Sequence, residues 1–148
     1  MRFPFDPKFI TGRYGELSAY RRANKMQPHS GLDFARPEGT PIPSIANGTI
    51  VLQQWSDVLG NVSVLRVMDK DKKLAYVGFC HLAKPGLEVG TKVKEGDIVG
   101  LIGGGKKFPS GSASSGGHLH LTVSRELKGV FGQTSVKEDP IEFIKANR

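Results

Sequence analysis

The segment HLHLTVSRE at residues 118–126 alternates regularly between polar and apolar side chains. Because successive residues of a β-strand point to opposite faces, this alternation predicts a strand with two chemically different faces. One face would carry His118, His120 and Thr122, and the leucines and the valine between them would occupy the other. The segment therefore predicts a β protein in which two histidines lie side by side on one face of a sheet.

Four other segments are rich in β-branched and apolar residues and have the length of strands: GTIVLQQW (48–55), NVSVLRVMD (61–69), KLAYVGFCHL (73–82) and DIVGLIG (97–103). Turn-forming runs such as LGN, DKDKK and KEGD separate them. Short strands at this spacing are typical of an all-β sandwich or barrel. One short helix is expected near the C-terminus, where Asp139 is a suitable N-cap and Pro140 suits the first helical position.

Composition limits the class of protein. The 148 residues suit one domain, and the single cysteine, Cys80, excludes a disulfide scaffold. No apolar run approaches the ~20 residues of a membrane span, and the N-terminus MRFPFDPKF lacks the apolar stretch of a signal peptide. The net charge of +7 favours an anionic partner, but the basic residues are scattered and form no aromatic-interleaved stripe. We therefore expect no nucleic-acid partner.

Two segments are predicted to be irregular. Residues 1–28 contain several prolines and glycines and a polar YRRANKMQP stretch. The segment GGGKKFPSGSASSGG at residues 103–117 is too rich in glycine and serine for a regular element, and it leads directly into His118. A mobile loop beside a histidine-bearing strand is typical of the rim of a functional site.

His29 and Asp33 lie four residues apart in PHSGLDFA, where Pro28 and Gly31 argue against a helix. On a straight strand they would be about 13 Å apart, too far to share a metal ion. A shared ion therefore requires the chain to bend at Gly31, which glycine permits. Imidazole and carboxylate together suit zinc.

The remaining histidines add to this inventory. His118 and His120 at i and i+2 would lie about 7 Å apart at their backbones, so both could bind one metal ion, or one could bind it while the other acts as acid or base. The spacing leaves both possibilities open. His81 ends a predicted strand, and alone it is more typical of a structural histidine. With His29 and Asp33 the set offers three ligands and two spare imidazoles, as in a catalytic zinc site of a hydrolase.

The order of these segments resembles that of the lysostaphin/LytM-type zinc metallopeptidases, which cut peptides in bacterial peptidoglycan. The resemblance covers nearly the whole chain: ITGRYGE (10–16), HSGLDFARPEGTPIPSIANGTIV (29–51), AYVGFCHL (75–82), LEVGTKVKEGDIVGLIGG (87–104), GGHLHLTV (116–123) and DPIEFI (139–144). It implies a mostly antiparallel β-sandwich or open barrel with a loop-walled groove and a short C-terminal helix. Residues 1–148 would then be one catalytic domain, with residues 1–28 as an irregular N-terminal segment.

Carried over position by position, the resemblance implies that His29, Asp33 and His120 bind one zinc ion per chain. His81 and His118 would be the catalytic imidazoles, which polarise water and stabilise charge or return a proton. The implied activity is zinc-dependent hydrolysis of peptide bonds in a peptidoglycan cross-bridge or stem peptide. The resemblance thus divides the two histidines of HLH, a division that their spacing left open.

The sequence departs from the family pattern in two places. Many members carry an arginine shortly after the first aromatic–glycine pair, whereas this chain has Glu16 and Leu17 there; Arg21 or Arg22 could replace it. The segment SASSGG at 112–117 stands where the family more often has a threonine–glycine or proline pattern. Neither change touches the five site positions.

Three other classes of protein are compatible with parts of the sequence. A non-catalytic wall-binding or amidase-activator domain could share the fold, but such domains usually lose site residues and all five are present. A lipoyl- or biotin-carrier hairpin would explain VKEGDIVGLIG (93–103), yet no lysine flanked by methionine or alanine stands at a hairpin tip. A histidine phosphocarrier would have no use for Asp33.

The resemblance also sets expectations about context. We expect a monomer that acts at the bacterial cell wall, released as a phage lysin through a holin or belonging to a larger exported or virion protein. A basic surface would help to hold it on anionic wall polymers. The sequence does not distinguish a Gly-Gly bridge from a stem-peptide D,D bond, because loops form the groove walls that decide specificity.

Overall fold

The computed structural model describes residues 1–132 and 136–148, and its largest element is an antiparallel β-sheet. In chain order the described strands are β1 (Ile10–Gly12), β2 (Leu32–Ala35), β3 (Pro41–Pro43), β4 (Gly48–Ser56), β5 (Gly60–Met68), β6 (Leu74–Leu82), β7 (Lys92–Val93), β8 (Ile98–Leu101), β9 (His118–Ser124) and β10 (Lys137–Glu138). The helices are α1 (Ala19–Ala23) and α2 (Pro140–Ala146), with 3-10 turns at Pro7–Phe9 and Leu127–Phe131. The mostly antiparallel β fold with a short C-terminal helix is therefore confirmed.

The strand order of the main sheet is β1-β2-β9-β6-β5-β4-β7, and β10 pairs with β9. β3 and β8 form a separate two-stranded sheet. The segment predicted as a strand at 97–103 is thus a strand, but it lies in the second layer rather than beside the four longer strands. This arrangement brings β2 and β9, which are far apart in the sequence, into direct register at the centre of one half of the main sheet.

The main core lies between the two sheets. On β9, Leu119, Leu121 and Val123 are fully buried in it, as the alternation of HLHLTV predicts. β3 and β8 contribute Ile42 and Val99 from the opposite layer. Because the apolar side of the main sheet is covered in this way, its other face is left for the polar residues of the same strands.

That other face carries a smaller apolar cluster at the β5–β6 side, which includes Val62, Val64 and Cys80. On the part of this face formed by β2, β9 and the end of β6, histidines take the place of apolar side chains. Asp33 and three of the histidines therefore lie on strands of the sheet, while His29 lies in the loop before β2.

The N-terminal segment has more structure than the sequence predicts. β1 pairs antiparallel with β2 and forms an edge of the main sheet, although its three residues, ITG, are too few to show an alternating pattern. α1 begins after Ser18, whose side chain accepts a hydrogen bond from the Arg21 backbone N–H. At the other end of the chain, Asp139 caps α2 and Pro140 is its first residue, as predicted.

In the part of the chain that the structure describes, no helix is long and apolar enough to cross a membrane.

Candidate active site

The centre of the site is a direct cross-strand pair between β2 and β9. Asp33 stands opposite His120 in the register of the two strands, with both side chains on the face away from the core. The Nδ1 atom of His120 lies 2.9 Å from Oδ1 of Asp33. The Nε2 atom of His120 is buried and has no hydrogen-bond partner among the described residues.

His29 completes this group because the chain bends at Gly31, as the sequence requires. The Nε2 atom of His29 lies 3.1 Å from Oδ2 of Asp33, and its Nδ1 lies 3.1 Å from the Arg13 backbone carbonyl. Two backbone hydrogen bonds hold this loop to the N-terminal segment, from the Gly15 N–H to His29 and from the His29 N–H to Glu16.

Glycine is needed at position 31 mainly for space. A Cβ atom there would lie 2.7 Å from the His120 ring and 2.5 Å from the Leu121 carbonyl oxygen. The loop that carries His29 therefore passes directly against the Cε1 and Nε2 atoms of the His120 imidazole. The sequence indicates the bend at Gly31 but gives no sign of this close approach.

The donor atoms of His29, Asp33 and His120 fit a bound zinc ion. One ligand atom from each residue lies within 4.8 Å of the others. Two ligands of one tetrahedral zinc ion at about 2.0–2.2 Å would lie about 3.3–3.6 Å apart, close to the 2.9 and 3.1 Å separations here. The chemistry agrees as well, because the neutral His29 ring has one N–H but two oxygen neighbours. A cation between its Nε2 and the carboxylate would resolve this mismatch.

His81 reaches the same face through an irregularity in β6. Between the pairs Asn61–Leu82 and Ser63–Phe79, two residues of β6 stand opposite one residue of β5, which is a β-bulge. His81 itself has a positive φ of 59°, a conformation uncommon for residues other than glycine. Simple alternation would put His81 on the core face with Phe79, so the bulge turns it toward the histidines of β9.

His81 and His118, which do not contact Asp33 closely, lie next to each other beside the group of His29, Asp33 and His120. The ring centroids of His81 and His118 are 4.7 Å apart, and those of His81 and His120 are 6.2 Å apart. The Nδ1 of His81 contacts the Ser110 backbone carbonyl at 2.5 Å. The Nε2 of His118 lies 4.0 Å from Oδ1 of Asp33. All five residues that the sequence singles out are therefore brought together on one face.

Burial and contacts within the group shift the pKa values of Asp33, His81 and His120. Burial alone would raise the pKa of Asp33, but its contacts with the His120 and His29 rings outweigh it and hold that pKa below its usual range. Burial lowers the pKa of His81 to about 4 and also lowers the pKa of His120. These shifts favour an ionised Asp33 beside neutral His81 and His120 near neutral pH. A divalent metal requires this charge state of a carboxylate and an imidazole ligand.

Sequence reasoning misses the groups that hold the glycine-rich loop. The Glu38 carboxylate accepts hydrogen bonds from the backbone N–H groups of Gly105, Lys107 and Phe108. The Ser110 hydroxyl donates to the Leu82 carbonyl and accepts from the Asn61 N–H. The loop expected to be mobile is thus tied to the sheet at several points, and these contacts carry no sequence signal because most of them use the backbone.

The same loop forms a wall of the site. A cavity of about 300 Å³ lies over Asp33 and His118 and is bounded by Thr11, Ala113 and residues 115–117. A larger cavity of about 710 Å³ lies on the other side of this wall and extends to α1. Ala113 and Ser115 line both cavities, so the two cavities adjoin at this wall, and together they are called the groove below.

With the fold and the site described, comparison with known proteins identifies the class. Residues 27–134 match peptidase family M23, and the chain belongs to that family. In sequence the chain is 26% identical over 147 residues to the peptidoglycan DD-endopeptidase ShyA of Vibrio cholerae. It is also 30% identical over 118 residues to the glycyl-glycine endopeptidase ALE-1 of Staphylococcus capitis.

The structure is similar to the catalytic domain of the antimicrobial peptidase lysostaphin from Staphylococcus simulans. The TM-score is 0.71 at 29% sequence identity, and the match covers 92% of this chain and 91% of that domain. The match to ShyA covers 99% of this chain but 29% of ShyA, and the match to ALE-1 covers 80% and 29%. The chain therefore spans less than a third of the length of these two relatives.

Proposed function

We propose that this chain is a zinc-dependent endopeptidase that hydrolyses peptide bonds in bacterial peptidoglycan. The observation that carries the proposal is the convergence of His29, Asp33 and His120 on one point, with His81 and His118 beside it. Membership of peptidase family M23 agrees with this arrangement. The relatives ShyA and ALE-1 are named a peptidoglycan DD-endopeptidase and a glycyl-glycine endopeptidase.

His29, Asp33 and His120 would hold the zinc ion. When bound, zinc acts as a Lewis acid that polarises a carbonyl group and lowers the pKa of a water molecule to about 7. The carbonyl of Arg13 fixes the His29 ring through Nδ1, so that Nε2 faces the carboxylate. Such an outer contact orients a ligand before the metal binds.

His118 and His81 would manage protons. Nδ1 of His118 lies 3.0 Å from the Gly116 carbonyl, and Nδ1 of His81 lies against the Ser110 carbonyl. Because a carbonyl accepts a hydrogen bond, each contact places the ring proton on Nδ1 and leaves Nε2 free to accept one. Both rings are therefore poised as bases.

Hydrolysis of an amide needs one water molecule and two proton movements. The water oxygen bonds to the carbonyl carbon, and the proton it loses is accepted at the Nε2 of an imidazole. That proton then passes to the nitrogen of the leaving amine as the C–N bond breaks, which leaves a carboxylic acid and an amine. The acid then gives its proton to the amine, so the products are a carboxylate and an ammonium ion. His81 and His118, in contact with each other, can divide these two tasks.

The test uses purified peptidoglycan of several cross-link types, assayed for new free amino groups before and after zinc is stripped and restored. Zinc-dependent release of amines from one type is the expected result, and it would also identify the bond. Release of reducing sugar instead would contradict the peptidase mechanism. No release from any type, with zinc still bound, would favour a non-catalytic wall-binding or activator domain.

The wider context is part of the same proposal. We propose that residues 1–148 act as one catalytic domain, that the chain is a monomer, and that it works at the bacterial cell wall. A phage lysin and a domain of a longer wall hydrolase both fit this description. Gel filtration with light scattering tests the first two statements, because a dimer would double the mass expected from a 16.1 kDa chain.

A further inference from the structure

The larger half of the groove has a distinctive lining. Its walls are α1 with the following residues on one side and the 112–115 loop with Val58 on the other. Tyr20, Met26 and Val58 line it with exposed apolar surface, and Tyr20 is 70% exposed. Exposed apolar side chains that converge on a cavity beside a catalytic site are typical of a binding surface.

Arg21 is the one charged residue among the described residues that line this half of the groove. Its Nη1 donates a hydrogen bond to the Gln27 carbonyl at 2.9 Å, which orients the guanidinium. Among the described residues no carboxylate lies within 4.0 Å of it. The guanidinium is therefore oriented but keeps donors available for an anion.

We propose that this half of the groove binds a substrate residue that carries a free carboxylate, with Arg21 as its partner, and that the cleaved bond belongs to a carboxylate-bearing stem peptide. This inference rests on the proposed endopeptidase function. The apolar surface of Tyr20, Met26 and Val58 would contact the aliphatic portions of the same peptide, while the planar guanidinium forms paired hydrogen bonds with the carboxylate.

A substrate made of glycine alone would use this surface poorly. It has no side chains to cover Tyr20 and Met26, and an internal glycine segment has no carboxylate for Arg21. A groove of about 710 Å³ is also wide for a backbone without side chains. The lining thus favours a peptide with side chains and negative charge.

The experiment compares three soluble cross-linked peptides. The first is a stem-peptide dimer with the free carboxylate beside the scissile bond, the second is the same dimer with that carboxylate amidated, and the third is joined by a glycine bridge. We expect kcat/KM to be about tenfold or more higher for the first than for the second, since hydrogen bonds to charged groups are the stronger ones. The glycine-bridged peptide is expected to be cut slowest.

The matched variants are Arg21→Gln and Arg22→Gln. Both arginines lie on α1 and both changes remove one positive charge, but Arg22 does not line the groove and its Nε donates to the Leu17 carbonyl. We expect Arg21→Gln to raise KM for the free-carboxylate peptide about tenfold, with little change for the amidated one. Arg22→Gln is expected to change neither value, and Arg21→Lys to restore part of the preference.

Binding of the intact peptides, measured by calorimetry on the zinc-stripped protein, separates the two proposals. If no peptide is cut but binding still depends on Arg21 and on the free carboxylate, the proposed function is wrong and this inference stands. Equal kcat/KM values of the wild type for the free-carboxylate and the amidated peptide would overturn the inference. So would an equal effect of Arg21→Gln and Arg22→Gln, which would reflect general surface charge.

Discussion

The two faces of the sheet formed by β2, β9 and β6 differ completely although the same strands build them. One face presents Leu32, Leu121 and Phe79, all fully buried in a continuous apolar core. The other presents Asp33, His81, His118 and His120, to which the loop before β2 adds His29, and these polar side chains depend on specific partners. The first face supplies the stability that lets the second keep a partly buried carboxylate and a histidine with a positive φ.

The largest expected effect comes from removing the central residue of the polar face. Asp33→Ala should abolish zinc binding and bring hydrolysis to the background, because even outer partners of metal ligands contribute about 10–100-fold. Zinc per chain, measured by mass spectrometry, and amine release check this. Circular dichroism is the control, since the apolar face is untouched. Full activity with bound zinc in this variant would mean that the metal lies elsewhere.

The second-largest effect on activity is expected from His81→Asn, which removes the imidazole but is compatible with the backbone conformation at this position. Asparagine tolerates the left-handed conformation at φ 59°, so the bulge should survive. We expect kcat to fall about 10²–10⁴-fold with zinc retained, as for loss of a general acid or base. His81→Ala is the comparison, because it adds backbone strain to the same chemical loss. Turnover unchanged in His81→Asn would exclude a catalytic role.

The converse experiment weakens the apolar core and leaves the residues of the candidate active site unchanged. Leu121→Ala removes a fully buried side chain next to His120 in sequence but on the opposite face. Denaturant unfolding should show a loss of about 2–5 kcal/mol. Activity per folded molecule should be retained at low temperature. A specific loss of kcat without a loss of stability would show that the two faces are not separable in this way.

This contrast also explains how much the sequence could predict. The apolar face follows from alternation in HLHLTV and from the apolar runs of the longer segments, so five of the described strands, β4, β5, β6, β8 and β9, were predictable together with their core residues. His29 and Asp33 could be identified as a pair, because glycine and proline around His29 leave a bend as the way to bring it to Asp33. The division of the HLH histidines came from family resemblance and not from spacing.

The features of the site that the sequence could not predict are mostly features of the backbone. The bulge that turns His81 has no local signature, and alternation alone would place it with Phe79 on the core face. Three histidine rings are oriented by the backbone carbonyls of Arg13, Ser110 and Gly116. Any residue type could supply a backbone carbonyl, so the sequence gives no sign of these contacts. β1 was missed because three residues cannot show a period.

A pH prediction sharpens the comparison at a smaller scale. The folded pKa of His81, about 4, lies below its ordinary value of 6.5. Between these values the unfolded chain binds more protons than the folded one, so stability falls as the pH is lowered through this window. For the zinc-stripped protein we expect this residue to contribute a loss on the order of 3 kcal/mol from pH 7 to pH 4. Unfolding in urea across this range measures it.

The control for that prediction is His81→Asn, in which the contribution is absent. Its stability should change less steeply than that of the wild type between pH 7 and pH 4. His120, whose pKa is also lowered by burial, keeps a part of the slope in the variant. Parallel profiles for the two proteins would mean that His81 is not buried in its neutral form.

The smallest expected effect concerns Thr122, which shares the polar face of β9 with the two histidines but takes no part in the site. It is fully buried, and its hydroxyl has no hydrogen-bond partner among the described residues. An unpaired buried hydroxyl is destabilising, and valine has nearly the same shape. Thr122→Val should therefore leave zinc content and kcat unchanged and raise the free energy of unfolding by up to about 1 kcal/mol. A loss of stability in this variant would show that the hydroxyl has a partner, and that the polar face is held together beyond the five residues of the site.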